Sequence, residues 1–155
     1  MEVQTVNLAP IPVVMIRHTG PYEGISPVFD QLWQWVNAYG IPAEYSIGIY
    51  WDNPDYVSAN KLRSAACIKV PEGYTVVSDG GLPLERTQIR GGNYAKTRFV
   101  GPYDALAPVW TEFTSFIENR LGATITDDPA FEAYLNDPAT TAPADLITEL
   151  YMPIR

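Results

Sequence analysis

The chain has 155 residues, of which 46 % are hydrophobic and 18 % charged, with a formal net charge of −8. Such a length suits one domain with a full core, and the composition is that of an ordinary folded protein. The acidity argues against a nucleic-acid partner, because phosphate binding needs a Lys/Arg surface, and no apolar run approaches the roughly 20 residues of a membrane span. The one cysteine, Cys67, excludes an intrachain disulfide and suits a reducing compartment. The first ten residues, MEVQTVNLAP, lack the basic and apolar regions of a secretory signal, so the expected location is cytoplasmic, with no membrane partner.

In chain order, Val3–Leu8 reads as a leading strand and Val13–Arg17 as a second strand running into the turn Gly20-Pro21-Tyr22. Ile25, Val28, Phe29, Leu32 and Val36 then form the apolar stripe of an amphipathic helix, with Gly40 placed for a left-handed C-terminal cap. Strands follow at Ile47–Trp51, ending in the turn signal DNP (52–54), and at Ala65–Val70, ending at Pro71. Residues 72–83 (EGYTVVSDGGLP) read as a linker.

The same order then recurs. Leu84–Ile89 is a leading strand, Gly91-Gly92 a turn and Tyr94–Arg98 a strand entering Gly101-Pro102-Tyr103. A second stripe, Leu106, Val109, Trp110, Phe113 and Ile117, precedes Gly122, and strands close the chain at Phe131–Leu135 and Leu146–Met152. Residues 17–29 (RHTGPYEGISPVF) and 98–110 (RFVGPYDALAPVW) are one segment met twice, 81 positions apart, identical at six of thirteen positions. The expected fold is therefore α+β: a duplicated β-β-α-β-β unit, with an antiparallel sheet of about eight strands and two helices on one side. The boundaries are about 1–71 for the first repeat, 72–83 for the linker and 84–155 for the second, with a ligand cleft expected between the repeats.

Strand alternation sorts the side chains by face. In the last strand Leu146, Thr148, Leu150 and Met152 point one way, and Ile147, Glu149 and Tyr151 the other. Matching Pro71 with Pro153 pairs Cys67 with Glu149 and Lys69 with Tyr151. Taking Phe131, Ala133 and Leu135 as the helix-facing set leaves Glu132 and Tyr134 on the opposite face, and the same reasoning places Tyr50 there and Ile47, Ile49 and Trp51 toward the helix. One face is then expected to carry Tyr50, Glu132, Tyr134, Glu149 and Tyr151.

The succession GPYE, helix, IGIYWDNP, KLR…CIKVP, GGNYA, a second GPY, FEAYLNDP and TELYMPI resembles the GyrI-like family, also called the AraC-type effector-binding domain, over essentially the whole chain. The resemblance implies a duplicated α+β fold that binds small lipophilic, cationic or aromatic compounds in a cleft between the copies. A pocket glutamate in the terminal strand, Glu149 here, is implied with tyrosines around it. Some stand-alone relatives act as DNA gyrase inhibitors, and others hydrolyse cyclopropane-bearing, DNA-alkylating compounds. Ser64, in KLRSAAC, departs from the acidic or polar residue that relatives carry nearby.

The expected function is thus capture of lipophilic, aromatic or cationic compounds, with resistance or detoxification as the role. The ligand-binding candidates are Glu149, Tyr50, Tyr134, Tyr151, Glu132, Trp51 and Trp110. Trp110 also duplicates Phe29 on the core stripe, and Trp51 falls on the helix-facing parity, so packing competes with binding at both. An enzymatic alternative makes Glu149, with Tyr151, the catalytic pair that opens a strained ring with water, because a carboxylate in a water-poor pocket gains basicity. DNA gyrase as a protein partner is the third reading. Motifs for metal or cofactor chemistry are absent from the sequence, and His18 with Cys67 cannot make a four-ligand metal site, so no cofactor is expected. His18 reads as a structural donor beside the GPY turn.

Overall fold

The computed structural model describes residues 1–76 and 78–155; position 77, within the expected linker, lies outside the described residues. The elements run β1 (Gln4–Leu8), β2 (Ile11–Thr19), α1 (Ser26–Tyr39), β3 (Ser46–Tyr50), β4 (Arg63–Lys69), β5 (Glu85–Ile89), β6 (Gly92–Val100), α2 (Leu106–Phe116), β7 (Ala130–Tyr134) and β8 (Ile147–Pro153). These eight strands and two helices are the α+β content expected, following in chain order as β-β-α-β-β twice.

The chain forms two compact units, Pro10–Arg90 and Met1–Ala9 with Gly91–Arg155. In the first, the antiparallel strand order is β3-β4-β2-β5; in the second it is β1-β6-β8-β7. The leading strands therefore belong to the opposite unit from the repeat they precede. β1 pairs with β6 (Val6 opposite Tyr94), and β5 pairs with β2 (Val13 opposite Thr87). A tight hairpin between β1 and β2, or between β5 and β6, would need left-handed residues at its two-residue turn. Neither Ala9-Pro10 nor Arg90-Gly91 holds a positive φ, which matches the observed path, in which each strand runs on instead of folding back.

Each unit packs its helix on one face of its strands. Leu32, Trp35 and Val36 of α1 bury against Val14 and Ile16 of β2 and Ala66 and Ile68 of β4. Leu106 and Phe113 of α2, with Ile117 in the π-type turn Ile117–Leu121 that extends it, pack on Ala95 of β6 and Leu150 of β8. Gly40 and Gly122 end the helical segments with φ of 62° and 66°, the left-handed caps that both spacings predict. In the second GPY turn, a Cβ on Gly101 would stand 2.7 Å from Cζ of Phe99, so only glycine fits there.

The faces turned away from the helices are buried too. Val13, Ile47 and Cys67 are fully buried in one unit, and Tyr94, Phe131 and Ala133 are buried in the other. Among the described residues, no helix is long and apolar enough to cross a membrane.

Ser64 and Thr148 occupy matching positions, opposite Tyr50 on β3 and Tyr134 on β7, and both hydroxyls are buried without a hydrogen-bond partner. An unsatisfied buried hydroxyl is destabilising, and an apolar isostere relieves it. Thr148→Val is therefore expected to raise unfolding stability by about 1 kcal/mol. Urea denaturation of the variant measures this, and a lower midpoint at unchanged slope would show that the hydroxyl is satisfied.

Candidate functional site

Strand β8 lies between β6 and β7, and its register decides which side chains meet. Arg98 and Lys96 of β6 stand opposite Glu149 and Tyr151, while Ala133 and Phe131 of β7 stand opposite the same two residues on the other side. Because residues opposite one another point to the same face, Glu149, Tyr151, Lys96, Arg98 and Phe131 share the side turned away from α2.

Three rings assemble there. Phe131 and Tyr151 stack with centroids 4.5 Å apart and planes 10° apart, and Tyr94 meets both edge-on at 5.5 and 6.3 Å. Glu149 sits beside them at 6 % exposure. Its Oε1 accepts a hydrogen bond from the Tyr151 hydroxyl at 3.1 Å. Its Oε2 receives both Lys96 Nζ at 3.0 Å and Arg98 Nη2 at 3.1 Å. Lys96 Nζ also lies 5.6 Å from the Tyr151 ring centroid, within cation–π range.

Burial alone raises the Glu149 pKa, but hydrogen bonds from Lys96 and Arg98, the Lys96 charge and the Tyr151 hydroxyl outweigh it and hold the carboxyl below its ordinary range. Tyr151 is pushed well above the usual phenol range by burial first, and then by the adjacent Glu149 charge. The site is thus a fixed carboxylate under two cations, against a protonated phenol. The raised basicity expected of a general base is not found at Glu149.

The other expected face residues divide differently. Glu132 stands opposite Leu150 and Tyr134 opposite Thr148, which puts both on the helix side. There Glu132 Oε1 accepts from the Trp110 indole N–H at 2.6 Å, and its Oε2 accepts from the Tyr134 hydroxyl at 2.6 Å. Tyr103 of the GPY turn meets the Tyr134 ring edge-on at 5.3 Å. Trp110 packs with the α2 core, as its stripe position predicts.

In the other unit, Tyr50 stands opposite Ser64, also on the helix side, and meets Tyr22 of the first GPY turn at 4.9 Å. Ile47 and Ile49 stand opposite Cys67 and Ala65, away from the helix. Trp51 follows Tyr50 and has the Arg17 guanidinium over its ring at 5.3 Å. The parity of both β3 and β7 is thus the reverse of that expected, and Tyr50, Glu132 and Tyr134 do not join Glu149. With both faces buried, an apolar side chain no longer marks the helix side, and an indole N–H supplies the partner that lets Glu132 lie under a helix.

The repeat correspondence also shifts. Arg17 faces Ala65 as Arg98 faces Glu149, and Ile47 faces Cys67 as Phe131 faces Tyr151. The counterpart of Glu149 is therefore Ala65, and that of Tyr151 is Cys67, two positions from the match made through the prolines. Cys67 is fully buried, and burial raises its thiol pKa, so it is an inert core residue.

Lys96, Arg98, Tyr94 and Phe131 were not among the expected site residues. The signal for the two cations was present: Lys96 and Arg98 share a parity on the strand that neighbours β8. His18 lies where expected, its Nε2 3.2 Å from the Pro21 carbonyl of the GPY turn. Among the described residues no cluster of three His, Cys, Asp or Glu side chains could hold a metal ion.

A carboxyl with a depressed folded-state pKa contributes stability above its unfolded pKa of about 4.3, and that contribution is lost as pH falls through the folded value. Glu149→Gln is therefore expected to lower stability at pH 7 by about 1–2 kcal/mol, with the gap to wild type closing below about pH 4. Thermal unfolding of both proteins from pH 7 to pH 3 checks this; a gap that does not change with pH would contradict the ion pairing.

The GyrI-like small molecule binding domain model matches residues 1–155. A protein named DNA gyrase inhibitor from Salmonella arizonae is 36 % identical over 139 residues, covering 88 % of this chain and 86 % of that one. Among solved structures, the fold resembles a hydrolase from Listeria innocua (TM-score 0.69, 15 % identity, covering 99 % of this chain and 92 % of that one). It also resembles SAV2435 bound to tetraphenylphosphonium (TM-score 0.68, 17 % identity, covering 100 % and 94 %). At these identities the structural likenesses concern the fold. With the duplicated strand–helix units and a family match over its full length, the chain belongs to the GyrI-like small molecule binding domain family.

Proposed function

We propose that the protein captures lipophilic aromatic compounds in the cytoplasm, using the Tyr94–Phe131–Tyr151 rings with the Glu149–Lys96–Arg98 cluster as the polar anchor, and protects by sequestration. The observation that carries this reading is the carboxylate held at 6 % exposure beside three packed aromatic rings. Rings supply contact area and stacking with little loss of side-chain freedom, and one polar group then fixes ligand orientation. Family membership supports a small ligand, and the fold neighbour SAV2435 is described as bound to the lipophilic aromatic ion tetraphenylphosphonium. The hydrolytic alternative draws no support from Glu149, whose lowered pKa makes it a weak base.

The test is titration with the neutral dye N-phenyl-1-naphthylamine, whose fluorescence rises in apolar surroundings. Wild type is expected to bind it, and Tyr151→Leu to weaken binding about three- to tenfold, the worth of an aromatic contact of roughly 0.5–1.5 kcal/mol. Tyr151→Phe keeps the ring and is expected to stay near wild type. Wild-type affinity in Tyr151→Leu would remove the rings from the site.

A second reading rests on the relatives named DNA gyrase inhibitor, at 36 % identity for the Salmonella arizonae protein. If this chain shares that activity, stoichiometric protein slows plasmid supercoiling by purified gyrase. Unchanged supercoiling at a large molar excess would discard it.

A further inference from the structure

The position a ligand cation would take beside Glu149 is already filled from within the chain. Such a cation needs two things: a carboxylate oxygen and an aromatic face. Lys96 Nζ has both, lying 3.0 Å from Glu149 Oε2 and 5.6 Å from the Tyr151 ring centroid. Arg98 adds a second cation to the same oxygen at 3.1 Å, and the Tyr151 hydroxyl uses the other. The group of Lys96, Arg98 and Glu149 therefore carries one net positive charge.

Exposure points the same way. The Glu149 side chain is 8 % exposed, against 25 % for Lys96 and 56 % for Arg98. What the cluster presents to solvent is cationic.

We propose that Lys96 serves as a built-in occupant of the cation position, and that with Arg98 it turns this site toward aromatic ligands carrying an anionic group, such as a carboxylate or sulfonate. The inference rests on the small-molecule reading above and adds the charge class of the ligand. An incoming anion pairs with Arg98 and Lys96, the exposed members of the cluster, and its aromatic body packs at the Tyr151 side of the ring group, Phe131 and Tyr94 being buried at 1 % and 3 %. An incoming cation meets like charges, and reaches Glu149 only by displacing both.

Tetraphenylborate and tetraphenylphosphonium test this, being of nearly the same shape and opposite charge. Each is used to displace N-phenyl-1-naphthylamine from the wild type, from Arg98→Gln and from the Lys96→Gln/Arg98→Gln double variant. Wild type is expected to favour the borate by about tenfold. Arg98→Gln, at a half-exposed position that folding tolerates, should narrow that ratio, and the double variant should invert it by freeing Glu149. The wild-type preference should also shrink with added salt. Equal or tighter binding of the phosphonium by wild type would overturn the proposal, as would a borate preference unchanged in both variants. Should the dye itself fail to bind wild type, the small-molecule reading falls, and the charge preference falls with it.

Discussion

The arrangement depends on the placement of β8, a strand hydrogen-bonded on both sides by β6 and β7. A central strand has no free edge to slip along, and with both faces buried a one-residue shift would exchange the environments of every side chain. Leu150, fully buried against α2, and Glu149, set among rings and cations on the opposite face, therefore fix each other. A slip that freed the carboxylate from Lys96 and Arg98 would press it into the hydrocarbon beneath the helix. The register that builds the core is the register that builds the site.

Double burial also explains what could be read from the residues alone. Element types and order were legible because helix stripes and turn punctuation are local: the stripe from Ile25 to Val36 and the glycines at 40 and 122 needed no tertiary information. The parity of β8 was legible because Leu150 and Met152 continue an apolar series against the helix, with a charged residue between them. The parity of β3 and β7 was not. Phe131 and Ala133 look like helix-facing residues, yet they face away, because that side is apolar as well. Glu132 looks exposed, yet it is satisfied by Trp110 and Tyr134, partners that only the folded chain brings within 2.6 Å. The exchange of β1 and β5 was likewise invisible, since a segment such as Arg90-Gly91 permits either a hairpin turn or a straight continuation, and only the folded chain shows which is taken.

Duplication supplies the frame and divergence the chemistry. The GPY tyrosines play matched parts, Tyr22 against Tyr50 and Tyr103 against Tyr134. The duplicated arginines do not. Arg98 spans to Glu149 across the β6–β8 pair, while Arg17 faces Ala65 on its neighbour and pairs with Glu85 of β5 at 2.8 Å. The pair Ala65 and Cys67 stands where Glu149 and Tyr151 stand in the other unit. One repeat thus keeps an apolar, chemically inert surface at these positions, and the other a buried carboxylate and phenol on the same backbone geometry.

Stability alone does not account for the Glu149 cluster, because desolvating a carboxylate costs much of what its partners return. The cost falls unevenly. The anion is nearly fully buried, whereas Arg98, with over half its side chain exposed, retains most of its hydration. Lys96, a quarter exposed and leaning over Tyr151, lies between them. Exposure therefore orders how readily the partners can be exchanged: Arg98 can swing into water at little cost, Lys96 loses an ion pair and a ring contact together, and Glu149 cannot leave. An anionic ligand can engage Arg98 without disturbing the Lys96–Glu149 pair, while a cationic one must break that pair before it gains anything. The difference lies in the order of steps as well as in net charge, and it follows from the depth at which each charge is held.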